Sequence, residues 1–306
     1  MEIVCDLQYG PSEFQLLDVY VPKGNTERIV VLCLHGGFYC RGDKKACLEQ
    51  CRILCEQNWV VFSCNYDLGK ITRGVWRQIL FWSTLCCTLT LYMANVRKLI
   101  FFLSLFAISI AWFVYVMMYV EDKAPENISD LELAVCWIRT HAVTYGGDPN
   151  RIALVGHSAG AHLASLLGSR QHAYIRGVVA ISGVYSLARM HQLTCGDWLL
   201  RCGFGETDDF VEFSPVNVAH EQSPPHLLIN ANYDFTLKRH AWDMAFTLKS
   251  KGVYVQCKTY PGDHSSIMKN WRHKPSQFKQ IISFILDCTS GNRPHHLLDQ
   301  SDGSIH

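Results

Sequence analysis

The chain has 306 residues, a formal net charge of +1, 49% hydrophobic residues and 18% charged residues. That is enough apolar chain to bury one sizeable core, and it excludes general disorder. With charge so balanced and no basic run or aromatic-basic stripe, nucleic acid is excluded as a partner and acidic substrates gain no steering.

The first ten residues show no basic segment followed by an apolar stretch, so no secretory signal is read there. The 14 cysteines, including Cys47, Cys51 and Cys55 at helical spacing and the vicinal Cys86-Cys87, match neither zinc knuckles nor a disulfide framework. They are read as reduced thiols, which places the catalytic part on the cytosolic side. The sequon Asn127-Ile128-Ser129 would matter only in a lumenal setting.

Strands are predicted over 16–21, 29–34, 59–64, 151–155, 175–182, 225–231 and 253–260. Helices are predicted over 44–57, 129–145, 159–169, 239–251 and 274–286, each with apolar residues recurring at three and four. This alternation, with near-continuous apolar strands, predicts an α/β fold: a mostly parallel central sheet with helices on both faces. The tail, 289–306, is polar and expected to be loose.

The strand over 29–34 runs into His35-Gly36-Gly37-Phe38. Glycines there let the backbone approach a substrate closely, so Gly36 and Gly37 are candidate oxyanion donors, although such a pair alone often only makes a turn. Further on, the apolar run 151–155 meets Gly156-His157-Ser158-Ala159-Gly160 and then a small-residue helix. That is the setting of a nucleophile elbow, in which the flanking glycines permit a tight strained turn and expose the serine hydroxyl. Ser158 is the candidate nucleophile, and the Ala159 N–H the second oxyanion donor. Asp234, after the strand over 225–231, is the candidate acid, and His264, after the strand over 253–260, the candidate base. Asp263 is a weaker acid candidate, because adjacent residues rarely turn their side chains toward each other.

The order Ser158, Asp234, His264 is that of α/β-hydrolases. From Leu16-Leu17-Asp18-Val19-Tyr20 through Gly36-Gly37, the 145–152 stretch and 156–162, the chain resembles their esterase/lipase branch. It is most similar to isoprenylcysteine methylesterases and kynurenine formamidases. Ile128-Ser129-Asp130, the 145–152 stretch and Ser158-Ala159-Gly160-Ala161-His162 resemble the methylesterases; His35-Gly36-Gly37 resembles the wider esterase and formamidase group. The likeness covers most of the chain apart from about 70–126 and the tail. It departs at His157, where those methylesterases carry Gln, and over 185–222, which holds no transferable motif.

The resemblance assigns 1–69 and 127–288 to one catalytic domain. The insert between them has about 17 uncharged residues over 79–95 and about 22 over 99–120, separated by Arg97-Lys98. The second run is long enough to cross the hydrocarbon layer, and its apolar residues cover a helix all round. An apolar helical hairpin over 70–126 is therefore expected, anchoring the enzyme in membrane lipid through 79–120. Lys70, Arg73 and Arg77 favour a cytosol-facing domain on an endomembrane such as the endoplasmic reticulum. Two other readings stay open: an apolar cap over Ser158, and an artefact of the gene model.

The expected chemistry is hydrolysis of a small-molecule or lipid-linked carboxylic ester through an acyl-enzyme, with no metal and no cofactor. Isoprenylcysteine methyl ester is the specific substrate that the resemblance implies. The alternatives are hydrolysis of a formamide such as N-formylkynurenine, and a non-catalytic scaffold on a hydrolase fold. Trp198, Leu199 and Leu200 could line a pocket, but such a cluster more often belongs to the core.

Overall fold

The computed structural model describes residues 1–24, 28–68, 126–170, 173–192, 200, 204, 210–234 and 236–290. Eight strands form one sheet: β1 (Glu2–Gln8), β2 (Leu16–Val21), β3 (Arg28–Leu34), β4 (Val60–Cys64), β5 (Gly147–His157), β6 (Ile175–Ile181), β7 (His226–Tyr233) and β8 (Val255–Asp263). Their spatial order is β1-β2-β4-β3-β5-β6-β7-β8, antiparallel at β1–β2 and β2–β4 and parallel everywhere else.

The central strands are apolar throughout because both faces are covered. Every residue of β3 and β4 is buried. Alternate residues of β3 go to opposite layers, as the two-residue side-chain period requires. Val30, Leu32 and Leu34 join Leu131, Val135 and Ile138 of α2 (Asn127–His141), Leu163 and Leu166 of α3 (Ala159–Gly168), and Met244 of α6 (Leu237–Ser250). Val31 and Cys33 join Cys51 and Leu54 of α1 (Leu48–Cys55) and Ile281, Phe284 and Ile285 of α7 (Pro275–Thr289). Between α3 and α6, the described residues include two short helices, α4 (Leu187–His191) and α5 (Pro215–Val218).

Several expected boundaries move for local reasons. The helix expected over 44–57 is split: Lys44–Cys47 forms a 3-10 turn capped by the Asp43 carboxylate, and the α-helix starts at Leu48. Lys44 is drawn inward there, its ammonium held by Asp18 at 2.6 Å and Asp6 at 2.7 Å. The helix expected over 129–145 gives way after His141 to a 3-10 turn that Gly146 ends in the left-handed region, φ 78°. Strand β1 carried no sequence signal, since an edge strand that buries little has no apolar alternation to show. The tail expected from 289 begins later, because Thr289 is buried in the last turn of α7 and donates its hydroxyl to the Ile285 carbonyl. Asn127 of the sequon is likewise buried, at the start of α2. Leu200 packs in the core, as a plain packing residue would.

The hairpin expected over 70–126 falls outside the described residues except for Glu126. The residues that bracket it are well defined. Buried Asp130 accepts from the Gln15 amide at 2.6 Å and from the Asp67 N–H at 2.7 Å, and Asp67 accepts from the Glu126 N–H at 3.0 Å. Asp67, Glu126 and Asp130 are thus hydrogen-bonded neighbours. Among the described residues, no helix is long and apolar enough to cross a membrane.

His162, His226 and His240 are fully buried and His157 half-buried, all as neutral rings. Burial pushes His157, His162, His226 and His240 from the usual 6.5 down to about 4. Between those values the unfolded chain binds more protons than the folded one, so stability rises with pH across the window and is lost as pH falls from 6.5 toward 4. Each histidine contributes a slope of about 1.4 kcal/mol per pH unit inside it. A series of urea midpoints should drop steeply from pH 6.5 to 4.5; a flat series would show these rings to be accessible to protons in the folded state.

Candidate active site

The parallel strands β5, β6, β7 and β8 all end at the same edge of the sheet, so the residues that follow them converge there. Ser158 follows β5 and turns the chain directly into α3. It takes φ 55° and ψ −119°, a conformation that is strained for a residue with a Cβ. The flanking glycines are required. A Cβ at Gly156 would lie 2.2 Å from the Gly160 carbonyl oxygen, and one at Gly160 would lie 2.3 Å from that of Leu34 and 2.5 Å from that of His35. The Ser158 N–H donates to Ile181 at 2.8 Å, and the Ser158 carbonyl accepts from Ala161 and His162.

Around this turn the structure brings all three expected side chains together. His264 Nε2 lies 3.0 Å from Ser158 Oγ, and its Nδ1 lies 2.8 Å from Asp234 Oδ1. An ionised carboxylate only accepts, so Nδ1 carries the proton and the Nε2 lone pair faces the hydroxyl. The second Asp234 oxygen accepts from Ser182 Oγ at 2.6 Å, the Asn230 amide at 2.9 Å and the Ala231 N–H at 3.2 Å. Burial raises the Asp234 pKa, but the hydrogen bonds from His264, Ser182, Asn230 and Ala231 outweigh it and hold the carboxyl below its ordinary range. Asp263 stands apart: its carboxylate caps the next turn by accepting from the Ser265 and Ser266 N–H groups at 2.9 Å each.

Gly36 and Gly37 lie against the elbow. A Cβ at Gly36 would sit 2.9 Å from the His157 carbonyl oxygen and 3.0 Å from Ser158 Cβ, while Gly37 has φ 136° and would collide with Arg41. The loop turns back on the Gly37 carbonyl, which accepts from Cys40 and Arg41, and no acceptor among the described residues takes the Gly36 or Gly37 N–H. Ala159 is the first residue of α3, so its N–H has no partner within the helix. From below, Tyr66 supports the loop: its ring stacks on His35 at 4.4 Å and its hydroxyl donates to the His35 carbonyl at 2.7 Å.

The contacts of three neighbouring residues escaped the reading of the sequence: Ser182, Asn230 and His157. A signal existed for Asn230, because a polar side chain inside an apolar strand demands a buried partner. His157 fills the variable position of the elbow, and its Nε2 donates to the His264 carbonyl at 2.8 Å. Among the described residues, no group of three His, Cys, Asp or Glu side chains could hold a metal ion.

Esterase B from Lactobacillus Rhamnosis (HN001) superposes with a TM-score of 0.65 at 17% identity, over 92% of this chain and 84% of that one. A truncated carbohydrate esterase from gut microbiota does so with a TM-score of 0.67 at 16% identity, over 95% and 97%. The chain has the α/β-hydrolase fold. The BD-FAE family model matches residues 102–241 of the chain. Esterase LipQ of Mycobacterium tuberculosis is 29% identical over 129 residues, which cover 36% of this chain and 31% of LipQ. The Arabidopsis thaliana protein named "Probable isoprenylcysteine alpha-carbonyl methylesterase ICMEL1" is 26% identical over 170 residues, covering 46% of this chain and 36% of that protein. The chain spans about a third of the length of these curated relatives.

The elbow's demand for glycine can be measured. Gly160→Ala should cost about 2 kcal/mol or more, because its methyl meets two rigid backbone carbonyls. Gly252→Ala, with φ 72° but nothing within 4 Å, should cost only about 1 kcal/mol of left-handed strain. Equal shifts in denaturation midpoint for the two variants would contradict this account of the elbow.

Proposed function

We propose that this α/β-hydrolase cleaves a carboxylic ester through an acyl-enzyme, with Ser158 as nucleophile, His264 as general base and acid, and Asp234 as the group that orients and stabilises the imidazole. The observation that carries the reading is the continuous hydrogen-bond chain from buried Asp234 through His264 to a serine on a strained elbow. Ser158 Oγ would attack the ester carbonyl carbon while its proton passes to His264 Nε2. The N–H groups of Ala159 and of the Gly36-Gly37 segment would receive the developing negative oxygen. As the tetrahedral adduct collapses, His264 returns the proton to the departing alcohol oxygen. Water then repeats the sequence on the acyl-serine, releasing the acid and restoring the serine hydroxyl.

For substrate, a small or lipid-linked ester is favoured, with isoprenylcysteine methyl ester the most specific choice. The likeness to ICMEL1 supports it, as do the two long uncharged runs between residues 79 and 120, which would hold the enzyme at a membrane where lipid-borne esters reside. The catalytic domain would then face the cytosol, on an endomembrane.

A fluorophosphonate probe should label the wild-type chain and fail on Ser158→Ala, whose ester turnover should fall on the order of 10⁴-fold. Full activity of that variant would remove the catalytic assignment, and faster turnover of a formamide than of a methyl ester would reassign the substrate class. Alkaline carbonate extraction checks the anchor: the whole chain should stay in the membrane pellet, and a variant with 69–125 replaced by a short Gly/Ser loop should be released. Release of both would refute membrane integration.

A further inference from the structure

His157 is given no role by the chemistry above. It precedes Ser158, its Nε2 donates to the main-chain carbonyl of His264 at 2.8 Å, and the two imidazoles lie 4.9 Å apart, tilted by 39°. The His264 main chain needs such a tie. β8 is the edge strand with β7 as its one neighbour, its pairing slips between Ala231 and Tyr233, and the last paired residue is Asp263. His264 therefore starts a turn beyond the end of the ladder, with its side chain 20% exposed.

We propose that His157 is a positioning residue that fixes the base to the nucleophile's own turn, so that the spacing between His264 Nε2 and Ser158 Oγ does not rest on the turn after β8 alone. The proposal rests on the reading of His264 as the general base. A neutral donor suits the place. Burial, reinforced by repulsion from His264, pushes the His157 pKa down to about 4, so the ring carries one proton at neutral pH and Nε2 holds it for the carbonyl. A permanent cation there would oppose the imidazolium that forms on His264 during attack, whereas a neutral ring leaves it unopposed. The other ring nitrogen faces the oxyanion loop: a Cβ at Gly36 would come within 3.1 Å of His157 Nδ1. One side chain thus spans the base loop, the elbow and the oxyanion loop.

The experiment uses the full chain and p-nitrophenyl butyrate. His157→Phe keeps an aromatic ring and removes the donor; kcat should fall roughly 10- to 100-fold with KM changed by less than about threefold, the signature of a reacting group held off its line. His157→Gln restores an N–H donor and should recover most of the rate. Fluorophosphonate labelling of Ser158 should slow and recover in parallel. If His157→Phe does not fold, His157→Met provides an unbranched filler without a donor, to be compared with Gln in the same way. Donor-free and Gln variants of equal activity would overturn the positioning role, as would a donor-free variant with unchanged kcat. An active Ser158→Ala would instead overturn the catalytic reading beneath it, so the two failures are told apart.

Discussion

The strained backbone at Ser158 is the constraint on which the rest of the molecule turns. A serine at φ 55° and ψ −119° persists only where its surroundings leave no alternative, and they do so from three sides. Ile181 takes its N–H, the first turn of α3 takes its carbonyl, and the approach of β3 to α3 is so close that a methyl at Gly160 would meet the Leu34 and His35 oxygens. Sheet packing therefore holds the turn, and the turn holds the hydroxyl clear of its own helix.

The electrostatics follow the same logic. A buried carboxylate is costly unless its oxygens are satisfied, and Asp234 has both engaged, one by His264 and the other by Ser182, Asn230 and Ala231. These donors keep the group ionised in spite of burial. Ser182 reaches it by taking a left-handed conformation itself, φ 54°, at the end of β6. Two consecutive parallel strand ends thus carry positive-φ serines, one whose hydroxyl faces His264 and one that holds the carboxylate behind that ring. Strain is placed where orientation matters and is absorbed by the sheet.

Most of the architecture was legible in the sequence, because buried parallel strands must be apolar on both faces and an elbow must have glycines at fixed spacing. Ser158, Asp234 and His264 were readable for the same reason: chain order and strand ends locate them without any knowledge of contacts. The supporting residues were not. Ser182 and His157 bond across 52 and 107 positions, which no local spacing announces, whereas Asn230 left one signal, a polar residue inside an apolar strand. β1 was missed because an edge strand buries too little to leave a pattern, and the helix over 44–57 was drawn too long because Lys44 turns inward to pair with Asp6 and Asp18.

Asp67 and Glu126, 59 positions apart, are brought together in the fold by a hydrogen bond. Asp130, on the first turns of α2, binds Asp67 on the outgoing side, and Asp67 binds Glu126 on the returning side, so the two crossings are hydrogen-bonded neighbours. The location is not neutral for function. Tyr66, one residue before this junction, stacks on His35 and holds the carbonyl that leads into Gly36 and Gly37. A displacement of the junction would be felt by Tyr66 first and next by the Gly36-Gly37 loop, which lies against His157 and the elbow.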